Sequence, residues 1–241
     1  MKIGIYCTVS IKEFSVAMAT LRFAELSDIV HCIVILITDI SFSKPRKTSK
    51  KITVYSMNLG SGYDVSVRNG GYDQISARNF LIDRLSDTEA DWIMLHDADD
   101  IYHLDYYLYV SETFMNTDAI TCSCFSVNPG FNLCSPPSKT KQVDGKILYN
   151  PHTRIWRKDK DLRYEKTAGI EYYFTNHTRH CGVIFPKSMN ISIADGLYHF
   201  HLHALLNKRH SSKILNYPAL KLNIPREVKN HLEINKEVFS Y

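Results

Sequence analysis

The stretch Asp91-Trp-Ile-Met-Leu-His-Asp-Ala-Asp-Asp100 joins a short apolar run to three acids. Its short apolar run, Trp92–Leu95, predicts a strand that is buried on both faces, as in a parallel sheet. Three carboxylates, Asp97, Asp99 and Asp100, follow at the carboxyl end of that strand, where open α/β sheets bind ligands. These negative charges repel one another unless a cation offsets them. Their hard oxygen atoms suit Mg²⁺ or Mn²⁺, so the stretch predicts a metal-assisted nucleotide site.

Strand and helix patterns alternate on both sides of this stretch. Strands are predicted at residues 2–9, 29–37, 52–57, 119–127 and 152–156. Helices are predicted at 11–26, 73–86 and 102–114, and residues 198–203 are expected to start or lead into a further helix through residue 213. Strands that alternate with helices imply an α/β fold with a mostly parallel sheet.

Three segments are predicted to be loops. Residues 41–51 are polar and basic, and residues 58–72 carry four glycines that let the backbone approach a ligand closely. Residues 128–150 are rich in Pro, Ser, Lys and Gly, which favours a long loop at the active site or on the acceptor side.

The composition is that of an ordinary soluble globular protein, with 241 residues, 44% hydrophobic and 22% charged. The length suits one large domain or two close halves. The longest apolar run, residues 29–37, is far too short to span a bilayer. Because the first residues have a strand pattern rather than that of a signal peptide, we expect a cytoplasmic protein without membrane insertion. The six cysteines form no CxxC pair, so buried reduced thiols are expected.

The net charge of +4 is unevenly distributed. Residues 44–51 hold five cations and no acid, residues 139–166 nine cations against four acids, and residues 208–229 six against one. Such stretches either attract phosphate-rich partners, nucleic acid included, or form a solvated surface.

Further motifs accompany the acidic stretch in a fixed order. They are Ala77-Arg78-Asn79 before it, and Arg154-Ile-Trp-Arg157 and Leu197-Tyr-His-Phe-His201 after it. With Asp97-Ala-Asp-Asp100 as a DxD motif, this set resembles the GT-A glycosyltransferases of the family-2 type over about residues 3–205. The resemblance implies a GT-A, Rossmann-like α/β domain whose mostly parallel sheet is flanked by helices, with two abutting halves. We expect a nucleotide-sugar-binding half at 1–110, an acceptor-binding half at 111–203, and a C-terminal helix and tail at 204–241 packed on the core.

The resemblance implies roles for the acids and for Arg78. Asp99 would bind the divalent cation, and Asp97 would contact the ribose or the water shell of the metal. The cation would bridge the two phosphates of a nucleotide-sugar and stabilise the departing diphosphate. Asp100 would orient Asp99 or the sugar hydroxyls. Arg78 would pair with phosphate or with these acids.

The remaining donor-side residues lie at strand ends and near the C-terminus. Thr8 and Asp39 follow the first two strands, where they are placed to hold the nucleobase and ribose; a turn or helix-capping role is the alternative for Asp39. His199, His201 and His203 recur with a period of two, so they share a face on a strand and fan apart on a helix. The resemblance favours His199, then His201, as the ligand that completes a Mn²⁺ or Mg²⁺ shell, and His203 is expected only to pack.

The reaction implied is transfer of a hexosyl or pentosyl group from a nucleoside-diphosphate-sugar, UDP-linked, to an acceptor hydroxyl. An inverting enzyme needs a general base. Glu171 falls where related enzymes carry an acceptor-side acid, although Ile170 stands in place of the usual histidine, and Asp195 and Asp161 are the alternatives. A retaining enzyme needs no such base.

The acceptor and the function class each have alternatives. Small enzymes of this type that are rich in Lys, Tyr and Asn are similar to bacteriophage glycosyltransferases, which implies hydroxymethylated DNA as acceptor and the host cytoplasm as location. A surface polysaccharide or a small acceptor is the alternative. A nucleotidyltransferase of related fold usually has a Gly-rich loop after its first strand, where this chain has Cys7-Thr-Val-Ser-Ile-Lys-Glu13. A non-catalytic nucleotide-sugar-binding module is the third class.

Overall fold

The computed structural model describes residues 1–59, 73–113, 116–166, 176–177, 181–206, 217, 219–220 and 222–239. The strands in these ranges are Ile3–Val9 (β1), Val30–Ile37 (β2), Arg46–Lys47 (β3), Ile52–Ser56 (β4), Trp92–Leu95 (β5), Asp100–Ile101 (β6), Ala119–Val127 (β7), Leu133–Cys134 (β8), Thr140–Val143 (β9), Lys146–Tyr149 (β10), His152–Arg157 (β11), Tyr164–Lys166 (β12), Asn176–His177 (β13), Cys181–Val183 (β14) and Ile191–His201 (β15). The α-helices are Phe14–Thr20 (α1), Arg22–Leu26 (α2), Gln74–Ser86 (α3), Leu104–Thr113 (α4), His203–Leu206 (α5), Arg226–Ile234 (α6) and Lys236–Phe239 (α7). Short 3-10 turns lie at Ile11–Glu13, Pro137–Lys139 and Lys158–Lys160.

One large sheet forms the centre of the molecule. Its strand order is β3-β4-β2-β1-β5-β11-β7-β15-β6, and β8 pairs with β7. The strands β4, β2, β1 and β5 are parallel neighbours, and so are β7 and β15. Between these two groups β11 runs antiparallel to both β5 and β7. The mostly parallel α/β sheet predicted from the sequence is thus confirmed.

The chain changes its direction of strand addition at β1. From β1 it adds β2 and β4 outward, and α3 then returns it to β5 on the opposite side of β1. In open α/β sheets such a reversal opens a crevice at the carboxyl ends of the strands, where ligands bind. The residues that follow β5 therefore lie at the edge of that crevice.

Helices cover both faces of the sheet. On one face Ala77, Leu81 and Leu85 of α3 are fully buried, which confirms the apolar side predicted for this helix. The predicted N-cap is also present, because the Asp73 carboxylate accepts a hydrogen bond of 3.0 Å from the backbone N–H of Ser76. On the opposite face α1, α2 and α4 pack on the sheet. The C-terminal α6 packs there as well and contributes buried Val228 and Leu232 to the core.

Three predicted elements differ from the structure. The helix expected at 11–26 is a 3-10 turn followed by α1 and α2, with the break at Leu21. The loop expected at 128–150 contains β8 and the β9–β10 hairpin, whose Asp144 and Gly145 have φ of 50° and 77°, as in a type I′ turn. Residues 198–203 were expected to start or lead into a helix, and they do not start one, because residues 198–201 continue β15 in parallel pairing with β7. A helix begins only at His203, and residues 207–216 lie outside the described ranges.

Two further expectations concern the cysteines and membrane insertion. Cys7, Cys122, Cys124 and Cys134 are buried free thiols, as predicted, whereas the free thiol of Cys32 is only partly buried. The side chain of Cys181 is outside the described part. Among the described helices, none is both long enough and apolar enough to cross a bilayer.

Candidate functional site

The three carboxylates are gathered by a tight turn directly after β5. The backbone N–H of Asp100 donates a hydrogen bond of 3.0 Å to the carbonyl of Asp97, which closes a turn over residues 97–100. Asp100 then begins β6, where it pairs with His201 of β15. The backbone N–H of Leu202 also donates to the Asp99 carbonyl at 2.7 Å. These backbone contacts dock the end of β15 against the acids, although about a hundred residues separate the two segments in the sequence.

Asp97 is held between two guanidinium groups. Arg78 of α3 donates from Nη2 to Oδ1 at 3.3 Å, and Arg154 of β11 lies with its Nη2 2.8 Å from Oδ2. Both arginine side chains are nearly buried. Burial raises the pKa of Asp97, but Arg154 and Arg78 lower it more strongly, to below its ordinary value. Asp97 is therefore ionised, and both of its oxygen atoms face cations.

Arg154 reaches the acids through an irregularity in β11. Thr153 pairs with Thr121 of β7, but Ile155 pairs with the adjacent Ile120, so Arg154 is one extra residue between them. Such a β-bulge redirects a side chain, and bulges are common next to active sites. The role of Arg154 was missed at the sequence level, where only its place in the Arg154-Ile-Trp-Arg157 motif singled it out.

Asp99 faces two histidines. The Nδ1 of His203 lies 3.2 Å from Asp99 Oδ2, and the Nε2 of His201 lies 3.6 Å from the same oxygen. The two imidazole rings are parallel, at 3° and 5.6 Å between centroids. One potential metal-binding atom from each of Asp99, His201 and His203 lies within 4.8 Å of the other two. One carboxylate and two imidazoles suit Mn²⁺ better than Mg²⁺, which prefers oxygen ligands throughout.

Asp100 orients His201. Its Oδ1 lies 2.8 Å from His201 Nδ1, which leaves the Nε2 nitrogen pointing at Asp99. Histidines that bind metals commonly donate their other ring N–H to a carboxylate in this way. Burial lowers the pKa of His201, but Asp99 and Asp100 raise it more, to about 9. Without a bound cation the imidazole is therefore protonated at neutral pH and balances the acids.

His199 lies apart from Asp99. Its ring is fully buried and stacks on Tyr102, with 4.7 Å between centroids and 18° between planes. It belongs to a second group with Cys124 and His152. The potential metal-binding atoms of these three residues also lie within 4.8 Å of one another. Nη2 of Arg154 lies 3.3 Å from His152 Nδ1, and that positive charge disfavours a cation in this group. The described geometry brings His201 and His203 to Asp99, whereas the sequence ranked His199 first and assigned His203 to packing.

The Asp39 side chain contacts the turn that follows β1. Its Oδ1 accepts a hydrogen bond of 2.8 Å from the backbone N–H of Ile11, at the start of the first 3-10 turn. Thr8 lies near the carboxyl end of β1, where it pairs with Leu36 of β2. Both residues are thus at the crevice edge of the sheet, at the ends of the strands on which they were predicted.

The general-base candidates lie at three separate places in the chain. Glu171 lies outside the described residues. Asp195 is part of β15, within residues 195–197 that have no partner on β7, and its side chain is outside the described part. Asp161 is exposed and forms an ion pair with Arg163 at 3.0 Å.

The Ala77-Arg78-Asn79 motif connects the acids to β12. The side-chain amide of Asn79 accepts from the backbone N–H of Tyr164 at 2.8 Å and donates to its carbonyl at 3.0 Å. The Arg78 guanidinium lies 5.0 Å from the centre of the Tyr164 ring, and the hydroxyls of Tyr6 and Tyr164 are 2.9 Å apart. One helical turn therefore contacts both Asp97 and the strand that precedes residues 167–175.

No family model and no curated protein matches the chain. Among solved structures it is similar to residues 1–349 of TarS from S. aureus in complex with UDP-GlcNAc, with a TM-score of 0.49 and 12% identity over 84% of this chain. The chain spans 58% of the length of that structure. It is also similar to 4-diphosphocytidyl-2C-methyl-D-erythritol synthase from Anaerococcus prevotii, with a TM-score of 0.44 and 7% identity over 98% of this chain and 96% of that one.

Proposed function

We propose that the chain is a metal-dependent glycosyltransferase of GT-A type, which moves a sugar from a nucleoside-diphosphate-sugar to an acceptor hydroxyl. The group of Asp99, His201 and His203 at the carboxyl end of β5 carries this proposal. It lies at the crevice where open α/β sheets bind nucleotides, and two buried arginines stand beside it. A cation site combined with guanidinium groups suits a diphosphate leaving group.

Each residue of the site has a distinct task in this proposal. A divalent cation held by Asp99, His201 and His203 would offset the charge of the departing diphosphate. Asp100 holds His201 in the orientation that presents Nε2 to the cation. Asp97, which is 27% exposed, is ionised and available to accept a hydrogen bond from a ribose hydroxyl. Arg78 donates to Asp97 and keeps that carboxylate in place.

The proposed division of the chain into a nucleotide-sugar half, an acceptor half and a tail is consistent with this function. The acids belong to the nucleotide-sugar half at 1–110, and the two histidines lie at the carboxyl end of the acceptor half at 111–203. The tail at 204–241 includes α6, which packs on the core. Glu171 and Asp195 remain the proposed general bases of an inverting reaction, and UDP remains the proposed carrier of the sugar.

Metal and nucleotide are expected to stabilise the protein together. Mn²⁺ alone should raise the melting temperature only slightly, whereas Mn²⁺ with UDP should raise it strongly, because each completes the other's binding site. A thermal-shift panel of nucleoside diphosphates and nucleotide-sugars, with and without Mn²⁺, measures this synergy and identifies the base. Additive or absent shifts for every nucleotide would contradict the donor site.

Hydroxymethylated DNA is the proposed acceptor. The support is basic surface, since Lys44, Arg46 and Lys47 are exposed along the β3 edge and Lys139 is exposed before the β9–β10 hairpin. Contacts with DNA phosphates release counterions, so transfer to such DNA should fall steeply as salt increases. The measurement is the transfer rate to hydroxymethylated duplex over a salt series, with unmodified duplex as control. A rate that hardly changes with salt would favour a small acceptor instead.

A further inference from the structure

We propose that Arg154 is a positioning residue that keeps Asp97 out of the metal's coordination shell and thereby reserves Asp97 for the substrate. The inference builds on the glycosyltransferase function proposed above and refines its metal site. It follows from the positions of the positively charged side chains around the three acids, and from the β-bulge that directs the Arg154 side chain towards these acids.

The two acids of the DxD motif have opposite surroundings. Oδ1 of Asp97 faces Arg78 at 3.3 Å and Oδ2 faces Arg154 at 2.8 Å, so each oxygen already has a guanidinium partner. Oδ2 of Asp99 instead faces two imidazoles, at 3.2 and 3.6 Å. A divalent cation gains most from a carboxylate whose charge is not already balanced by a permanent cation. The ligand set that results contains Asp99 and excludes Asp97.

Arg154 also acts on the other acid of the group. Its Nη2 lies 3.6 Å from Asp100 Oδ2, while Asp100 Oδ1 is engaged with His201. Among the described residues this fully buried Oδ2 has no hydrogen-bond partner. The guanidinium of Arg154 therefore offsets the charge of Asp97 and of Asp100 at once. Loss of this positive charge would leave Arg78 beside Asp97 and His201 beside Asp100, so the surroundings of the metal would become more negative.

A charge-removing variant separates this role from a merely structural one. Arg154→Met is expected to bind Mn²⁺ on the order of tenfold more tightly, because the cation loses a nearby positive charge. The same variant should bind UDP on the order of tenfold more weakly at saturating Mn²⁺, because Asp97 is drawn towards the metal and away from the ribose. A structural defect would weaken both affinities together. Arg154→Lys, which keeps the charge, should bind Mn²⁺ within about threefold of the wild-type protein.

The measurements are Mn²⁺ affinity by electron paramagnetic resonance of the free ion, and UDP affinity by calorimetry in Mn²⁺. The matched control is Arg157→Met on the same strand. Arg157 is partly exposed and pairs with Asp159, so this variant should leave both affinities unchanged. Weaker or unchanged Mn²⁺ binding by folded Arg154→Met would overturn the role of Arg154. No binding of Mn²⁺ and UDP by the wild-type protein would instead overturn the proposed function, and this inference with it.

A second variant tests the same ligand set if Arg154→Met does not fold. Asp97→Asn should retain Mn²⁺ binding to within about tenfold, because an uncoordinated acid contributes only through its charge. Asp99→Asn should lose it. Equal loss of Mn²⁺ binding in the two variants would place Asp97 in the metal shell and refute the inference.

Discussion

Asp99→Asn is expected to abolish Mn²⁺ binding and to lower the rate of sugar transfer by roughly a thousandfold or more. The substitution removes the carboxylate whose Oδ2 faces both His201 and His203. An amide keeps the size of the side chain but carries no negative charge, so the cation loses its anionic ligand. The nucleoside diphosphate would then have to leave without a compensating charge.

The measurement has two parts, Mn²⁺ binding and release of nucleoside diphosphate from the donor that gives the largest thermal shift. Asp159→Asn is the matched control, since Asp159 is 62% exposed and contacts Arg157 away from the acids. The control should bind and react as the wild-type protein does. Full transfer by Asp99→Asn would disprove the metal site, and loss of transfer with intact Mn²⁺ binding would show that Asp99 acts on the substrate instead.

Trp156→Ala is expected to lower the free energy of unfolding by about 3–5 kcal/mol. Trp156 is fully buried on β11, two residues after the bulge at Arg154. Its ring meets Tyr6 and Phe185 edge-on, with centroids 6.2 and 5.9 Å apart. Truncation leaves a large cavity beneath the strand that carries Arg154.

Denaturant-induced unfolding measures this effect. Trp156→Phe should cost less than about 1.5 kcal/mol, because the ring packing is largely kept. The indole N–H of Trp156 has no hydrogen-bond partner among the described residues, so replacement by phenylalanine breaks no such bond. Ile234→Ala, at a side chain that is 83% exposed, is the surface control and should change stability by less than about 0.5 kcal/mol. A cost for Trp156→Ala as small as that of the control would disprove the packing role.

Much of the fold was predictable from local patterns. The continuous apolar runs in β2 and β5 indicated strands buried on both faces, and the spacing of Ala77, Leu81 and Leu85 indicated the buried side of α3. These patterns can be recognised locally because the buried apolar residues recur with the period of the strand or helix in which they lie. The β9–β10 hairpin was missed because its strands lack an apolar alternation; their residues are exposed or half-buried except for Leu148, which is fully buried.

The histidines show where local patterns fail. A period of two places all three on one face only if the strand continues through residue 203. The strand instead ends at His201, and the turn at Leu202 brings His203 back onto Asp99. His199 lies two residues before His201 on the strand, and its ring stacks on Tyr102 inside the core.

Consecutive residues alone indicated that three carboxylates follow a buried strand at the ligand-binding edge of an α/β sheet, because a buried strand is recognised from its continuous apolar run. Which partners each of those acids contacts depends on the tertiary fold. Asp97 meets Arg78, 19 residues away, and Arg154, through a bulge whose register depends on β7. Asp99 meets His203, 104 residues away, because β6 pairs with the end of β15. Partners so distant in the chain are selected by strand pairing, which no local pattern encodes.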